Sequence, residues 1–366
     1  MIHGHGGNIH AAAAALGCEP GEITDMSSNI NPLGPMPGLL EDLGQHIGSV
    51  CMLPEVDAAR AVQAYAKWQE IPENRIIAGA GTTEILYQLP RALEIDSALV
   101  VGPAYADYAD ALEINRVACR YFMREPQNDF QPDMDALRKA AQGADAVFFC
   151  NPNNPTGGYT DTRALASLAR SLPETYLIVD ESYLPFVLDR GNETMAKMDL
   201  PNTVVLHSLS KMFCIPGLRV GFCAAPGGLA EKIAAYFPPW RVNALAQRAV
   251  IRITREPKEA RAHAEKTRQY LYEQRAHMYD QIADAPGLTV FPSDATFLLM
   301  KAAFFTAAEI ASHLLDHRLL IRDCSNFKGL SEHFFRISLK DARTNETAAR
   351  LIAQFAESRY QGGIFK

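Results

Sequence analysis

Thr203-Val204-Val205-Leu206 runs through His207 into Ser208-Leu209-Ser210-Lys211, and this junction decides the fold. The apolar run reads as a buried strand. Beyond the lysine, Met212-Phe213-Cys214-Ile215-Pro216 is again largely apolar. Such surroundings make a charged lysine costly, so its pKa falls and the amine becomes a nucleophile. Ser208 and Ser210 add hydroxyls and Arg219 a guanidinium, a set able to hold a phosphate. A lone S-x-S-K after a strand is more often a surface lysine. The other strand ends of the chain decide against that reading here.

Working back from the lysine, Tyr176 to Val179 is a buried strand that ends in Asp180-Glu181-Ser182-Tyr183. Ala146 to Cys150 is another, running into the turn Asn151-Pro152-Asn153-Asn154-Pro155-Thr156-Gly157. Ala98 to Val101 ends in Gly102-Pro103-Ala104-Tyr105, where a tyrosine stands ready to stack on a flat ligand or to pack into the core. Arg75 to Ala78 leads into Gly79-Ala80-Gly81-Thr82-Thr83-Glu84, a glycine turn that opens a helix from Glu84 to Leu93. Backbone N–H groups at such a helix start attract phosphate. These strands alternate with helical stretches, which predicts an α/β fold with a mostly parallel sheet. Ligands of such sheets bind outside the carboxyl ends of the strands. Asn154, Asp180 and Lys211 all stand at or just past such ends, so they meet along one edge.

Val220 to Ala224 reads as a strand returning after the lysine, followed by a helix from Gly228 to Tyr236. A long helical region is expected from Ala244 to Ala283. From about residue 285 short strands and helices take over: Leu288 to Val290, Thr296 to Met300, a helix near 307–316, Leu319 to Arg322, Phe334 to Ser338, and a last helix from Asn345 to Ser358. This tail predicts a small α+β domain. Near the N-terminus, Asp57 to Gln69 is an amphipathic helix, and Ala11 to Gly17 a short one with a glycine stop. His3, His5 and His10 have no carboxylate or cysteine beside them, so no metal site is expected. Gly4, Gly6 and Gly7 suit a strap whose backbone approaches an anion. Ser27-Ser28-Asn29-Ile30-Asn31 is a polar loop suited to ligand contact.

The 366 residues are 48% hydrophobic, with a formal net charge of -7. No basic run appears, which argues against a nucleic-acid partner. The seven cysteines form no C-x-x-C pair. Neither a disulfide framework nor a zinc site is expected, and a reducing compartment fits. No signal segment and no membrane-length apolar stretch is seen, so the expected location is the cytoplasm.

One cofactor needs every part found at the strand ends. Pyridoxal phosphate requires a lysine for its aldehyde, an anion site for its phosphate, and an acid that keeps its ring nitrogen protonated. Lys211 and Asp180 fit the first and last. Tyr183 and Asn154 suit the ring hydroxyl. Gly81, Thr82, Thr83, Ser208, Ser210 and Arg219 suit the phosphate.

On Asn154-Pro155-Thr156-Gly157, Asp180-Glu181-Ser182-Tyr183 and Ser208-Leu209-Ser210-Lys211 with Arg219, the chain resembles the fold-type-I pyridoxal-phosphate enzymes of the aspartate aminotransferase superfamily. Within it, nearly the whole chain is similar to the threonine-phosphate decarboxylases of cobalamin biosynthesis. The discriminating stretches are His5-Gly6-Gly7-Asn8-Ile9, Asn29-Ile30-Asn31-Pro32-Leu33-Gly34, Pro239 to Ala246, and Ile321-Arg322-Asp323-Cys324-Ser325-Asn326-Phe327. Histidinol-phosphate aminotransferases share the cofactor motifs and a similar length, but the His5 to Asn8 opening and the second and fourth stretches are not typical of them. The resemblance implies a large cofactor-binding domain, 45–245, and a smaller one made of 1–44 and 246–366. It implies that Lys211 carries the aldehyde and moves protons, that Asp180 pairs with the ring nitrogen, Tyr183 and Asn154 with the ring oxygen, and that Tyr105 stacks on the ring. It implies that His5, Gly6, Asn29, Asn154, Arg322 and Arg336 hold a small phosphorylated amino acid, and that the enzyme is a homodimer. Two arginines and a glycine strap suit a substrate carrying both carboxylate and phosphate.

Where many relatives place a tyrosine that reaches the neighbouring subunit's cofactor phosphate, this chain has Leu53, which cannot donate a hydrogen bond. One fewer phosphate contact, or a substitute for it, is expected. The same parts serve decarboxylation and transamination, because the bond that breaks is the one held perpendicular to the cofactor plane. Decarboxylation of O-phospho-L-threonine is the leading expectation. A histidinol-phosphate-type aminotransferase is its rival, and phosphoserine an alternative substrate. A non-catalytic ligand-binding descendant is disfavoured by the intact Lys211 and Asp180, and a nucleic-acid regulator by the lack of room for an added binding module.

Overall fold

A computed structural model describes residues 6–364. Among the described residues, thirteen strands run in chain order. They are β1 Thr24–Asp25, β2 Ile76–Gly79, β3 Ser97–Gly102, β4 Ala118–Met123, β5 Ala146–Cys150, β6 Tyr176–Asp180 and β7 Thr203–His207. There follow β8 Gly221–Ala224, β9 Leu288–Val290, β10 Phe297–Ala302, β11 Leu319–Leu320, β12 Arg322–Asp323 and β13 Phe334–Ser338. Seven of them form the central sheet in the order β2-β8-β7-β6-β5-β3-β4. The pairs β4–β3, β3–β5, β5–β6 and β6–β7 are parallel, and only the returning β8 runs against its neighbours. The expected α/β fold with a mostly parallel sheet is what the chain adopts.

Both faces of this sheet are covered, which is why its strands read as unbroken apolar runs. Side chains alternate between two cores. Leu99, Val101, Val147, Phe149, Leu177 and Val179 enter one, while Ala98, Val100, Ala146, Phe148 and Ile178 enter the other. Truncating a ring such as that of Phe149 to alanine costs about 3–5 kcal/mol in a core of this kind. β4 was not expected, and its surroundings explain why. It is an edge strand whose Ala118, Cys119 and Arg120 are exposed, so it carries no buried apolar run.

A separate antiparallel sheet has the order β12-β13-β10-β9, and β1 pairs in parallel with β11. The stretch Leu319 to Arg322, expected as one strand, is therefore divided between two sheets. The long helical region is likewise two helices, Ala244–Arg255 and Pro257–Ile282. Pro257 lacks the N–H that would continue the first and suits the opening turn of the second. The last helix spans Ala342–Ile364, longer than the expected 345–358. The N-terminal segment ties these parts together. Asn31 N–H donates to the Lys211 carbonyl at 3.0 Å, and Ser338 N–H donates to the Met26 carbonyl at 2.8 Å.

Candidate active site

The carboxyl ends of β5, β6 and β7 open into a cavity of about 300 Å³. Its lining brings together Gly81, Thr82, Thr83, Tyr105, Asn154, Asp180, Tyr183, Ser208, Ser210, Lys211 and Arg219 with Gly6, Asn29 and Arg336. Arg322 lines a smaller adjoining cleft of about 40 Å³ that shares Gly6, Tyr105, Asn154 and Arg336 with the first. His5 lies outside the described residues. Every other site residue expected from the sequence therefore borders one or both of these adjoining spaces.

Lys211 sits on the short helix Leu209–Met212 that follows β7. Burial holds its amine below the usual lysine range, and the guanidinium groups of Arg336 and Arg219 push the same way against the pull of Asp180. The amine is thus primed as a nucleophile. Asp180, the last residue of β6, accepts from the Tyr108 hydroxyl at Oδ2, 2.8 Å, and from the Ser182 N–H at Oδ1, 2.9 Å. Both donors are neutral, so the carboxylate's charge is left to face a cationic ligand group. Tyr183 accepts from Asn29 Nδ2 at 3.0 Å, and burial pushes its phenol up to about 12. It stays protonated near neutrality and offers its O–H to the cavity.

The anion side is built on close backbone approach. Gly81, at φ +87°, precedes the helix Thr82–Ala92 and has no side chain to cap it. A Cβ on Gly81 would stand 2.5 Å from an Arg219 guanidinium nitrogen, and one on Gly221 would stand 2.5 Å from the Thr82 nitrogen. Only glycine lets Arg219 and the helix start converge. Ser208 lines the cavity beside them. Ser210 Oγ donates to the Val220 carbonyl at 3.2 Å, so its hydroxyl must turn from that carbonyl to donate to an anion in the cavity. Tyr105 stands edge-on to Tyr108 with ring centroids 5.9 Å apart, and burial raises its phenol strongly.

The opposite wall is cationic. Arg336 on β13 is buried, its guanidinium donating to Asn154 Oδ1 and to the Ser27 carbonyl at 2.9 Å. Its Nε–H has no hydrogen-bond partner among the described residues. Arg322 on β12 stands opposite Arg336 in the strand register and donates to Asn326 Oδ1 at 2.7 Å. Burial lowers the pKa of both, and Arg336 lowers that of Arg322 further. Arg336 has no carboxylate ion-paired to it among the described residues, and burying a guanidinium in that state is unfavourable unless an anion arrives to pair with it. Gly6 completes this wall. A Cβ there would meet the Ser27 carbonyl oxygen at 2.8 Å, and the Gly7 N–H donates to Ser27 Oγ at 2.7 Å.

The sequence reading missed Tyr108, Cys150 and Ser182, which also line the cavity. Tyr108 was findable, since it follows Tyr105 within the turn that opens the helix Asp107–Ile114. Cys150 and Ser182 carry no signal beyond standing at strand ends. Among the described residues there is no cluster able to hold a metal ion, and no helix is long and apolar enough to cross a membrane.

Comparison with known proteins agrees with this geometry. The model for "Aminotransferase class I and II" matches residues 22–355, and the chain belongs to that family. It is a pyridoxal-phosphate-dependent enzyme of the fold-type-I class. The threonine-phosphate decarboxylase of Salmonella typhimurium is 32% identical over 353 residues, 95% of this chain and 94% of that protein. The histidinol-phosphate aminotransferase of Methanothermobacter thermautotrophicus is 29% identical over 359 residues, 95% of this chain and 94% of its own length. The crystal structure of L-threonine-O-3-phosphate decarboxylase from Porphyromonas gingivalis superposes with a TM-score of 0.81 at 28% identity, covering 91% of this chain and 99% of that one. The cavity fits the cofactor on its own chemistry: one desolvated lysine, one carboxylate with only neutral donors, and a glycine cradle against an arginine.

Proposed function

We propose that this enzyme decarboxylates O-phospho-L-threonine to (R)-1-amino-2-propanol O-2-phosphate, a step serving the nucleotide loop of cobalamin. The observation that carries the reading is the arginine wall. Arg336 is buried with an Nε–H that has no partner among the described residues, and Arg322 stands opposite it in register, so two cations face one small space. That arrangement suits a substrate with two anionic groups. The relative and the solved structure named as threonine-phosphate decarboxylases support the same reading.

When bound, pyridoxal phosphate supplies an aldehyde and a ring that accepts the electron pair left by departing carbon dioxide. The chain's residues do the rest. Lys211 would carry the aldehyde and, once freed, hold and return a proton at its Nζ. Asp180 would keep the ring nitrogen protonated, aided by Tyr108. Tyr183 and Asn154 would face the ring hydroxyl, and Tyr105 would stack on the ring. Gly81, Thr82, Thr83, Ser208, Ser210 and Arg219 would hold the phosphate. Gly6, Asn29, Arg322 and Arg336, with His5, would hold the substrate. Residues 45–245 would form the cofactor domain, with 1–44 and 246–366 as the smaller one.

A homodimer belongs to the same proposal. Ile47, Val50, Met52, Leu53, Val56 and Trp240 are exposed, and the Trp240 N–H donates to the Val56 carbonyl at 2.8 Å, which joins the two segments into one apolar face. Leu53→Tyr is expected to tighten pyridoxal phosphate binding. No gain in a cofactor titration would count against a phosphate short of one contact.

The histidinol-phosphate aminotransferase relative keeps one rival in view. O-phospho-L-threonine and O-phospho-L-serine, each incubated with the holoenzyme, distinguish the decarboxylase and its substrate by carbon dioxide released. Histidinol phosphate with 2-oxoglutarate, followed for glutamate, reads the rival.

A further inference from the structure

β6 and β7 end side by side, and their pairing stops where the active-site residues begin. The Glu181 N–H donates to the Leu206 carbonyl at 2.9 Å, after which β6 turns toward Tyr183 and β7 enters the lysine helix. Glu181 and His207 do not border the active-site cavity. They line a second one, about 330 Å³, behind the strand ends, and Ser208 borders both. The Glu181 side chain is fully buried and lies 3.0 Å from His207 Nε2. A side-chain bond thus takes over where the backbone ladder ends.

Counting donors and acceptors orients the hydrogen bonds of this histidine. Glu181 accepts from the Met195 N–H at 2.9 Å and from the Thr194 hydroxyl. The Thr194 hydroxyl's one proton is committed there, while the Ala196 N–H donates to its oxygen at 3.0 Å. His207 Nε2 lies 2.9 Å from that oxygen and 3.0 Å from Glu181 Oε2, so it must carry a hydrogen. Nδ1 lies 2.7 Å from the Tyr65 hydroxyl. Tyr65 is buried and stacked on Phe222, ring centroids 3.7 Å apart, and burial keeps its phenol protonated. Its proton goes to Nδ1, the acceptor in reach. The result is one directed chain: Tyr65 O–H to His207 Nδ1, and His207 Nε2–H to Glu181.

We propose that His207 is a positioning residue: bridging Tyr65 to Glu181, it sets the separation between the strand end that carries Asp180 and the one that carries Ser208 and Lys211. The inference rests on the cofactor and not on the identity of the substrate. Its readout is the affinity of cofactor-free protein for pyridoxal phosphate, titrated by absorbance, beside the melting temperature of the same cofactor-free protein. His207→Leu deletes the N–H and is expected to weaken pyridoxal phosphate binding about tenfold or more, the scale of a lost hydrogen bond to a charged group. His207→Gln places an amide N–H near the Nε2 position and is expected to stay within about threefold of wild type, and to melt above the leucine variant, which leaves the buried Glu181 one donor short. Rescue by glutamine is what loss of packing alone would not produce. If the leucine variant does not fold, His207→Asn, whose shorter amide falls short of Glu181, is expected to bind as weakly as leucine would. Equal affinity in the glutamine variant and its leucine or asparagine counterpart would overturn the proposal. A wild-type protein that takes up no pyridoxal phosphate would sink the cofactor assignment itself and this inference with it.

Discussion

The two walls of the active-site cavity are built on different principles. The cofactor wall comes from the carboxyl ends of neighbouring strands in one sheet, where Cys150 pairs with Asp180 and Asp180 with Leu206 in the ladder. The arginine wall comes from β12 and β13 of a separate sheet, closed by an N-terminal loop and by Gly6. Backbone ladders, continued by the His207–Glu181 contact, hold the first wall before any ligand arrives. The second depends on long-range side-chain contacts, Arg336 to Asn154 and to Ser27, and Ser338 Oγ to Asn29 Oδ1 at 2.7 Å. Under the proposed function, the chemistry sits on the ladder-built wall and recognition on the wall assembled from side-chain contacts.

The largest expected effect breaks the first wall. Lys211→Ala should lower carbon dioxide release from O-phospho-L-threonine by on the order of 10³-fold or more, since general acid–base catalysis alone contributes about 10²–10⁴. Quantifying the amine product by mass spectrometry checks this. Arg336→Met should separate the walls. Its kcat/KM is expected to fall about 100-fold while pyridoxal phosphate affinity stays within about threefold, because charge-assisted bonds to the substrate are lost while, on the cofactor wall, Asn154 alone loses a hydrogen-bond donor. A parallel loss of cofactor affinity would mean that the two walls are one structure. Tyr108→Phe removes one donor from Asp180, and about a tenfold fall in kcat/KM is expected, read from steady-state kinetics.

The smallest effect is one of stability. Lys211 is held below its ordinary pKa, so between its folded value and the unfolded value of about 10.4 the unfolded chain binds more protons than the folded one. Stability therefore rises with pH across that window, and the charged amine is a full penalty below it. Cofactor-free Lys211→Met should melt about 2 °C or more above wild type at neutral pH, and the gap should narrow as pH approaches 10. A gap independent of pH would assign the difference to packing.

The rigid wall was legible in the sequence because buried parallel strands leave apolar runs with turn residues behind them. Asn154, Asp180 and Lys211 could be placed on one edge from those runs alone. β4 was not legible, since an exposed edge strand has no such run. The break at Pro257 was masked by helix-forming residues on both sides. Arg322 and Arg336 came only from resemblance: the residues around Arg336 read as an ordinary strand, and nothing local says which cavity it faces. The Tyr65–His207–Glu181 chain was invisible for the same reason, with partners drawn from a helix, the last residue of β7 and the residue just past β6.

The central claim is that this cavity removes carbon dioxide from a phosphorylated amino acid. Purified holoenzyme with O-phospho-L-threonine, followed for carbon dioxide and 1-amino-2-propanol O-phosphate by mass spectrometry, tests it most directly. Stoichiometric appearance of both products, abolished in Lys211→Ala, is the predicted result. Glutamate formed from histidinol phosphate and 2-oxoglutarate, with no carbon dioxide from phosphothreonine, would contradict the claim while leaving the fold and cofactor assignments intact.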